Sequence, residues 1–320
     1  MTGPHADIVP IALPTPFIVG PVNVFLITRA PVTLVDTGIA TDESYGALTA
    51  ALQAQGLTIP DIEIILVTHG HVDHIGQLQR LAEESGAEVW GHVSVVPPHA
   101  DPREAERTSR EFLLGIFRQF GVPDAIVEET RKARENLKGM GGPPRIDRTL
   151  EDGGRVFEFE AIHVPGHSSS DTLFVDRARR LAFTGDHVLK GVSPTPVIRR
   201  DPNTGERVKS LLEFERSLAR TRALGLTTMY PGHGAVITDP GEVIDRIFQR
   251  HERRNSKVLD ALKEGPRTPY DVALTLFPEL PPEHIYLALS TAIGHLDALE
   301  ERGQAVWSER EDGTVCYWAQ

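Results

Sequence analysis

The chain has 320 residues, 40% of them hydrophobic, one cysteine and a formal charge of −12. That length exceeds the ~250–300 residues at which a single core stops growing, so one large domain with a smaller one is expected. The acidity repels polyanions over the surface as a whole and argues against non-specific binding to nucleic acid or anionic membranes, while a lone Cys316 excludes intrachain disulfides and suits a reducing cytoplasm.

The first seven residues carry neither a basic n-region nor an apolar h-region, and no run approaches the ~18 apolar residues of a membrane span, so a cytoplasmic protein is expected. Residues 8–18 are apolar but broken by Pro10, Pro14 and Pro16, as in an edge strand or an irregular entry. Residues 22–27 and 32–35 read as a hairpin whose second strand ends at Asp36, Thr37 and Gly38. An amphipathic helix follows over 44–55, with Leu48, Ala51 and Leu52 inward.

Residues 62–68 form a β-branched apolar run of strand length, and directly behind it come His69, His71, Asp73 and His74. Four metal-ligand side chains within six residues are rarely accidental. They stand at the C-terminal end of a strand, where α/β sheets open their ligand crevices, and Leu78 and Leu81 then mark one face of a helix over 77–84. His69 and His71, two apart in extended chain, can face one ion; Asp73 and His74, entering the helix, can face a second.

A strand over 88–92 precedes two helices within 103–138, the first striped by Phe112, Leu113, Ile116, Phe117 and Phe120, and residues 139–144 end them in a glycine- and proline-rich stop. His92 and His99 have no partner spacing that supports them as ligands. The second half then repeats one pattern: His167 follows a strand over 157–163, Asp186 follows a hairpin over 173–185, and His233 follows a strand over 227–230. Imidazole and carboxylate without thiolate point to zinc, with manganese or iron as alternatives. His187 is a candidate neighbour of the site, whereas His163 reads as packing.

The spacing of residues 69–74 resembles the HxHxDH signature of the metallo-β-lactamase superfamily, and His167, Asp186 and His233 match its later motifs in order, so the resemblance spans roughly residues 8–240. It implies an α/β fold, the αββα metallo-β-lactamase sandwich, with a catalytic domain over 1–240 that carries a lid-like helical insertion at 103–145. It also implies that His69, His71 and His167 hold one metal, that Asp73, His74 and His233 hold another, and that Asp186 bridges them. Asp36 would orient the site. A bridging hydroxide would then attack the substrate directly, with Asp73 and Asp186 as the catalytic carboxylates.

Helices near 247, over 270–276 and over 282–302, followed by strands at 305–308 and 314–318 joined through Asp312-Gly313, spell a winged-helix domain over 241–320. This arrangement resembles the lactamase-β-like-protein-2 group, which implies either a thioesterase or a single-strand RNA endonuclease. Nine Lys/Arg stand against fourteen Asp/Glu from 241 to 320, a poor phosphate-binding balance. The expectation is therefore a dinuclear hydrolase of a small thioester or ester, such as an acyl-CoA or carrier-protein thioester, with RNA cleavage as the alternative and a non-enzymatic metal-binding scaffold third. Arg199, Arg200, Arg207 and Lys209 are the candidate anion-binding groups, and the C-terminal module packs against the catalytic domain or dimerises.

Overall fold

A computed structural model of the protein describes residues 5–96, 102–135, 140–141, 144–192 and 194–320. His99 and, from the glycine-rich stop, Gly139, Gly142 and Pro143 lie outside them. The chain divides into two compact units, the first made of Met1–Val96, Gly139–Pro194 and Ser217–Ile244, the second of Pro97–Lys138, Thr195–Arg216 and Asp245–Gln320.

The first unit holds two sheets. One runs in sequence order through β1 (Ile8–Leu13), β2 (Val22–Ile27), β3 (Thr33–Val35), β4 (Ile64–Val67), β5 (Glu88–Gly91) and β6 (Arg148–Thr149). Its first three strands pair antiparallel and the rest parallel. The proline-broken entry is thus an edge strand, β1. The other sheet has the order β11-β10-β9-β8-β7, from β7 (Arg155–Val156), β8 (Phe159–His163), β9 (Thr172–Asp176), β10 (Leu181–Gly185) and β11 (Thr228–Pro231).

Period-2 alternation decides which face each side chain meets. Ile64 and Leu66 of β4 join Phe25, Phe159, Phe174, Phe183 and Tyr230 in the core between the sheets. Ile65 and Val67 point the other way, onto Leu48 and Leu52 of α1 (Asp42–Ala54) and Leu78 and Leu81 of α3 (Leu78–Ser85). On the second sheet's side, Ser217 and Thr221 of α6 (Ser210–Ala223) bond Pro165 O and His187. The result is an αββα sandwich. The helix over 210–223 has no counterpart among the sequence expectations.

In the second unit, the stripe of α4 (Pro102–Gln119) buries Ile116 and Phe117, with Phe120 just beyond, against Val258 and Leu262 of α7 (Pro240–Lys263), Val272 of α8 (Pro269–Leu276) and Leu289, Ile293 and Leu296 of α9 (Ile285–Glu301). The same core takes Val315 and Tyr317 from the antiparallel pair β12 (Ala305–Glu309) and β13 (Val315–Ala319). The apolar stripe within 103–138 thus packs as core of the second unit, together with the C-terminal helices. Between α4 and α7 comes α5 (Asp124–Glu135), whose Thr130 donates to Pro282 O at 3.1 Å.

Candidate metal centre

All seven predicted side chains converge within the first unit. His69 and His71 lie in the turn after β4, and Asp73 and His74 lie on α2 (Val72–Ile75), a single helical turn. His167 follows β8, Asp186 follows β10 and His233 follows β11; those three strands run the same way, so their C-terminal ends share one edge. Three overlapping sets could hold an ion, each with ligand atoms within 4.8 Å of one another: His69, His71 and His167; His69, His74 and Asp186; Asp73, His74 and His233.

The geometry is tight. His71 Nδ1 lies 3.0 Å from His69 Nε2 and 2.9 Å from His167 Nε2. Asp186 reaches both sides, with Oδ1 3.4 Å from His74 Nε2 and Oδ2 3.6 Å from His167 Nε2 and from His233 Nε2. Asp73 Oδ2 stands 3.2 Å from His233 Nε2. His69, Asp73, His74, Asp186 and His233 are buried, while His71 and His167 are partly exposed.

Hydrogen bonding fixes the tautomers, which are assigned from the network. His74 Nδ1 lies 2.8 Å from Asp36 Oδ2, and an ionised carboxylate only accepts, so the proton sits on Nδ1 and leaves the Nε2 lone pair facing Asp186. Thr68 Oγ1 donates to the same Asp36 Oδ2 at 2.7 Å; it can then only accept from His69 Nδ1 at 3.1 Å, which frees His69 Nε2. His233 Nδ1 donates to Pro21 O at 2.8 Å, freeing its Nε2. Asp36 thus orients two histidines at once, the arrangement of second-sphere partners that stiffens metal ligands. It does so from a left-handed backbone, φ 61°, at 2% exposure.

The fit to a cation rests on what remains. His74 Nε2, Asp186 Oδ1 and His233 Nε2 are buried without a hydrogen-bond partner. Two glycines keep the space: a Cβ at Gly185, φ 47°, would lie 2.5 Å from Thr68 Oγ1, and one at Gly232 would meet His74 Cε1 at 2.6 Å and Asp186. Electrostatics agrees. Burial drives His71 down to about 3, with His167 adding to the effect, and His69 well below its usual value. Burial also opposes charge on His74, but Asp186, Asp36 and Asp73 outweigh it and hold its pKa well above the ordinary range, so a proton and a divalent cation compete for its Nε2 lone pair. Buried imidazole donors among ionised carboxylates are a ready divalent site.

The sequence pattern described as the Metallo-beta-lactamase superfamily matches residues 18–233. The chain belongs to that superfamily. It is a metallo-hydrolase of the metallo-β-lactamase fold. It is 31% identical to the probable metallo-hydrolase YqjP of Bacillus subtilis (strain 168), over 97% of each chain. It is 28% identical to an atrochrysone carboxyl ACP thioesterase of Aspergillus fumigatus, over 63% of this chain and 48% of that protein. The crystal structure of a metallo-beta-lactamase family protein from Thermus thermophilus superposes with a TM-score of 0.81 at 27% identity, covering 99% of this chain and 100% of that one.

Other candidates in this metallo-hydrolase fall elsewhere. Arg207 makes a bidentate pair with Asp297 at 2.7 Å on each arm, Lys209 pairs with Glu300 at 2.9 Å, and Arg199 pairs with Glu213, all inside the second unit. Three of the four expected anion-binding groups are therefore committed to acidic partners. His187 bonds Thr221 Oγ1 at 2.8 Å from full burial, a support of α6. His163 stacks on His92, centroids 3.8 Å apart and rings 9° from parallel. The sequence reading did not single out Thr68, the Pro21 carbonyl or the turn of Ser168, Ser170 and Asp171. Only that last turn had a local signal, its serines three and one residues ahead of a carboxylate. Among the described residues no helix is long and apolar enough to cross a membrane.

Proposed function

We propose that this metallo-hydrolase is a dinuclear enzyme that cleaves a small thioester or ester. His69, His71 and His167 would hold one divalent cation, Asp73, His74 and His233 a second, and Asp186 would serve both. The observation that carries this reading is a set of three buried atoms that make no hydrogen bond, His74 Nε2, Asp186 Oδ1 and His233 Nε2, and that face one another and the Asp73 and Asp186 carboxylates at 3.2–3.6 Å. Each would cost about 1–3 kcal/mol if nothing bound it. The imidazole and carboxylate donors suit zinc, with manganese or iron as alternatives.

Bound there, divalent cations supply Lewis acidity, which makes water a competent nucleophile near neutral pH and polarises an acyl oxygen. The chain's own residues do the rest. Asp36, Thr68 and the Pro21 carbonyl hold each Nε2 lone pair inward. Asp73, whose Oδ2 lies 3.2 Å from His233 Nε2, would take a proton from the attacking water and pass it to the leaving group. Cys316 is buried in β13 of the second unit and has no part in this chemistry.

An acyl substrate is favoured over RNA by charge and by apolar exposure. An RNA track needs several free cations, and Arg199, Arg207 and Lys209 are paired. Among the described residues of the first unit, five large apolar side chains are exposed: Ile18, Val93, Val96, Phe157 and Val192. Ile18 lies three residues before Pro21, Val93 and Val96 flank the turn whose Val95 O approaches Gly70, and Val192 follows Asp186 by six. Such loops suit an apolar acyl group, and the carrier-protein thioesterase among the relatives points the same way.

A panel of acyl-CoA and carrier-protein thioesters, aryl esters, lactones and single-stranded RNA, run from about 50 to 200 mM salt, tests this. Elemental analysis of the same preparation is expected to approach two ions per chain. Thioester or ester turnover should depend weakly on salt, since single-stranded RNA binding carries a slope of ~0.7 per neutralised phosphate. Rapid RNA cutting that falls steeply with salt, with no thioester or ester turnover, would reverse the assignment.

A further inference from the structure

We propose that Asp171 is a positioning residue for the half of the centre built from His69, His71 and His167, acting through Ser168 and Ser170. The inference rests on the dinuclear reading above and assigns a role to a residue outside the seven ligands.

The hydroxyl protons define a direction. Ser168 Oγ lies 2.7 Å from Asp171 Oδ1, and an ionised carboxylate only accepts, so the single Ser168 hydroxyl proton is used there. Ser168 Oγ is then an acceptor toward Ser170, whose N lies 3.1 Å away and whose Oγ lies 3.2 Å away. With its own proton turned toward Ser168, Ser170 Oγ presents lone pairs to the Gly70 N–H, which donates at 3.1 Å. The chain runs Gly70, Ser170, Ser168, Asp171, and one carboxylate terminates it. Gly70 sits between His69 and His71, and Ser168 follows His167. Asp171 Oδ2 also accepts the Ser168 backbone N–H at 2.7 Å, holding the turn directly after His167. One relay therefore sets the 69–71 turn against the 167 turn, two segments almost a hundred residues apart.

Charge gives a second reason. Asp171 is 2% exposed, and among the described residues no lysine or arginine pairs with it. A buried carboxylate without a cation is costly. Asp36, Asp73, Asp171 and Asp186 are all buried around one cluster; burial raises the pKa of Asp171, and two divalent ions would favour its ionised form, setting four carboxylate charges against four positive ones. Two of those carboxylates are ligands in the dinuclear reading; Asp36 and Asp171 complete the balance from outside.

Asp171→Asn keeps the shape and removes the charge, whereas Ser170→Ala keeps the charge and cuts the relay. The readouts are chelator-competition titration with zinc, the absorption spectrum of the cobalt-loaded protein, and the Tm of protein stripped of metal. Asp171→Asn is expected to weaken one of the two sites about 10–100-fold, as loss of an outer partner does, while the other site is unchanged and the stripped protein is no less stable. Ser170→Ala should weaken the same site about 10-fold or less; if Asp171→Asn does not fold, this variant decides. Wild-type affinities at both sites in both variants, or a lower Tm of the stripped protein with affinities intact, would overturn the proposal. Fewer than two ions in the unmodified protein would instead overturn the dinuclear reading.

Discussion

The two units each bury a cluster of histidine and acidic side chains, and the clusters differ in what they leave unsatisfied. In the second unit Asp297, fully buried, takes both guanidinium arms of Arg207 at 2.7 Å, His251 Nδ1 lies 2.9 Å from Glu215 Oε1, and His295 Nδ1 lies 2.7 Å from Asn255 Oδ1. In the first unit three of the converging atoms make no hydrogen bond. Equal burial and similar residue types give opposite readings, because satisfied polar groups hold a fold together whereas unsatisfied ones await a ligand. The difference lies in the geometry of the last few ångströms, and it can be broken from either side.

The largest effect is expected at the shared carboxylate of the first cluster. Asp186→Ala should lower bound metal from about two ions per chain toward one or none and reduce turnover by about 10³-fold, in line with the several kcal/mol that bound cations contribute. Elemental analysis beside a turnover assay measures both. A variant that keeps two ions and full activity would place the chemistry outside this cluster.

In the second cluster the same kind of substitution should act on stability instead. Asp297→Ala leaves the partly buried Arg207 guanidinium without its partner, and breaking a fully buried pair costs about 3–5 kcal/mol, which sets the upper bound here. Urea unfolding should show that loss, with two ions still bound to the protein that remains folded. Burial raises the pKa of Asp297 and the Arg207 hydrogen bonds oppose it, so the pair depends on both members. A metal content that falls in step with stability would erase the distinction between the clusters.

The site was more legible in the sequence than its surroundings, for physical reasons. The seven ligand candidates announce themselves because coordination chemistry restricts the residue types and because each follows a strand end, a pattern readable one segment at a time. Partnerships across long separations are not readable in that way. Arg207 finds Asp297 ninety residues away and Lys209 finds Glu300 ninety-one away, so exposed-looking basic residues turn out to be structural. The Pro21 carbonyl that orients His233 leaves no side-chain signature at all. In the helix over 210–223, Leu211, Phe214 and Leu218 are spaced for one buried face, but Pro194, Pro196 and Pro202 just before it leave the sequence no clear signal of where a helix begins. The stripe of α4 predicted a helix and a buried face, and only the tertiary structure says which core receives it.

The smallest expected effect tests whether the rim of the first unit behaves like either cluster. His92 is half-buried, its ring stacks on His163 at 3.8 Å, and its Nδ1 accepts the Ser94 N–H at 3.2 Å. Burial pushes its pKa down to about 4, the neighbouring His163 adds to this, and Asp152 pulls weakly the other way. The ring is therefore neutral in the folded protein over a range where the unfolded chain, near 6.5, takes up a proton. The sign follows: its contribution is fully present above about pH 6.5 and is lost as pH falls toward 4, because the unfolded state then binds more protons. One such group changes the slope of stability against pH by at most ~1.4 kcal/mol per unit, and solvent screening at a half-exposed ring makes it smaller. His92→Phe keeps a flat ring for the stack and removes the proton. Unfolding free energies measured from pH 7 to 4 should decline less steeply in this variant than in the unmodified protein, while the two curves run parallel above pH 7. Parallel curves throughout would mean that the stack is indifferent to protonation and that acid lability arises elsewhere, in which case His295, whose pKa burial also holds well below its usual value in the second unit, becomes the group to substitute next.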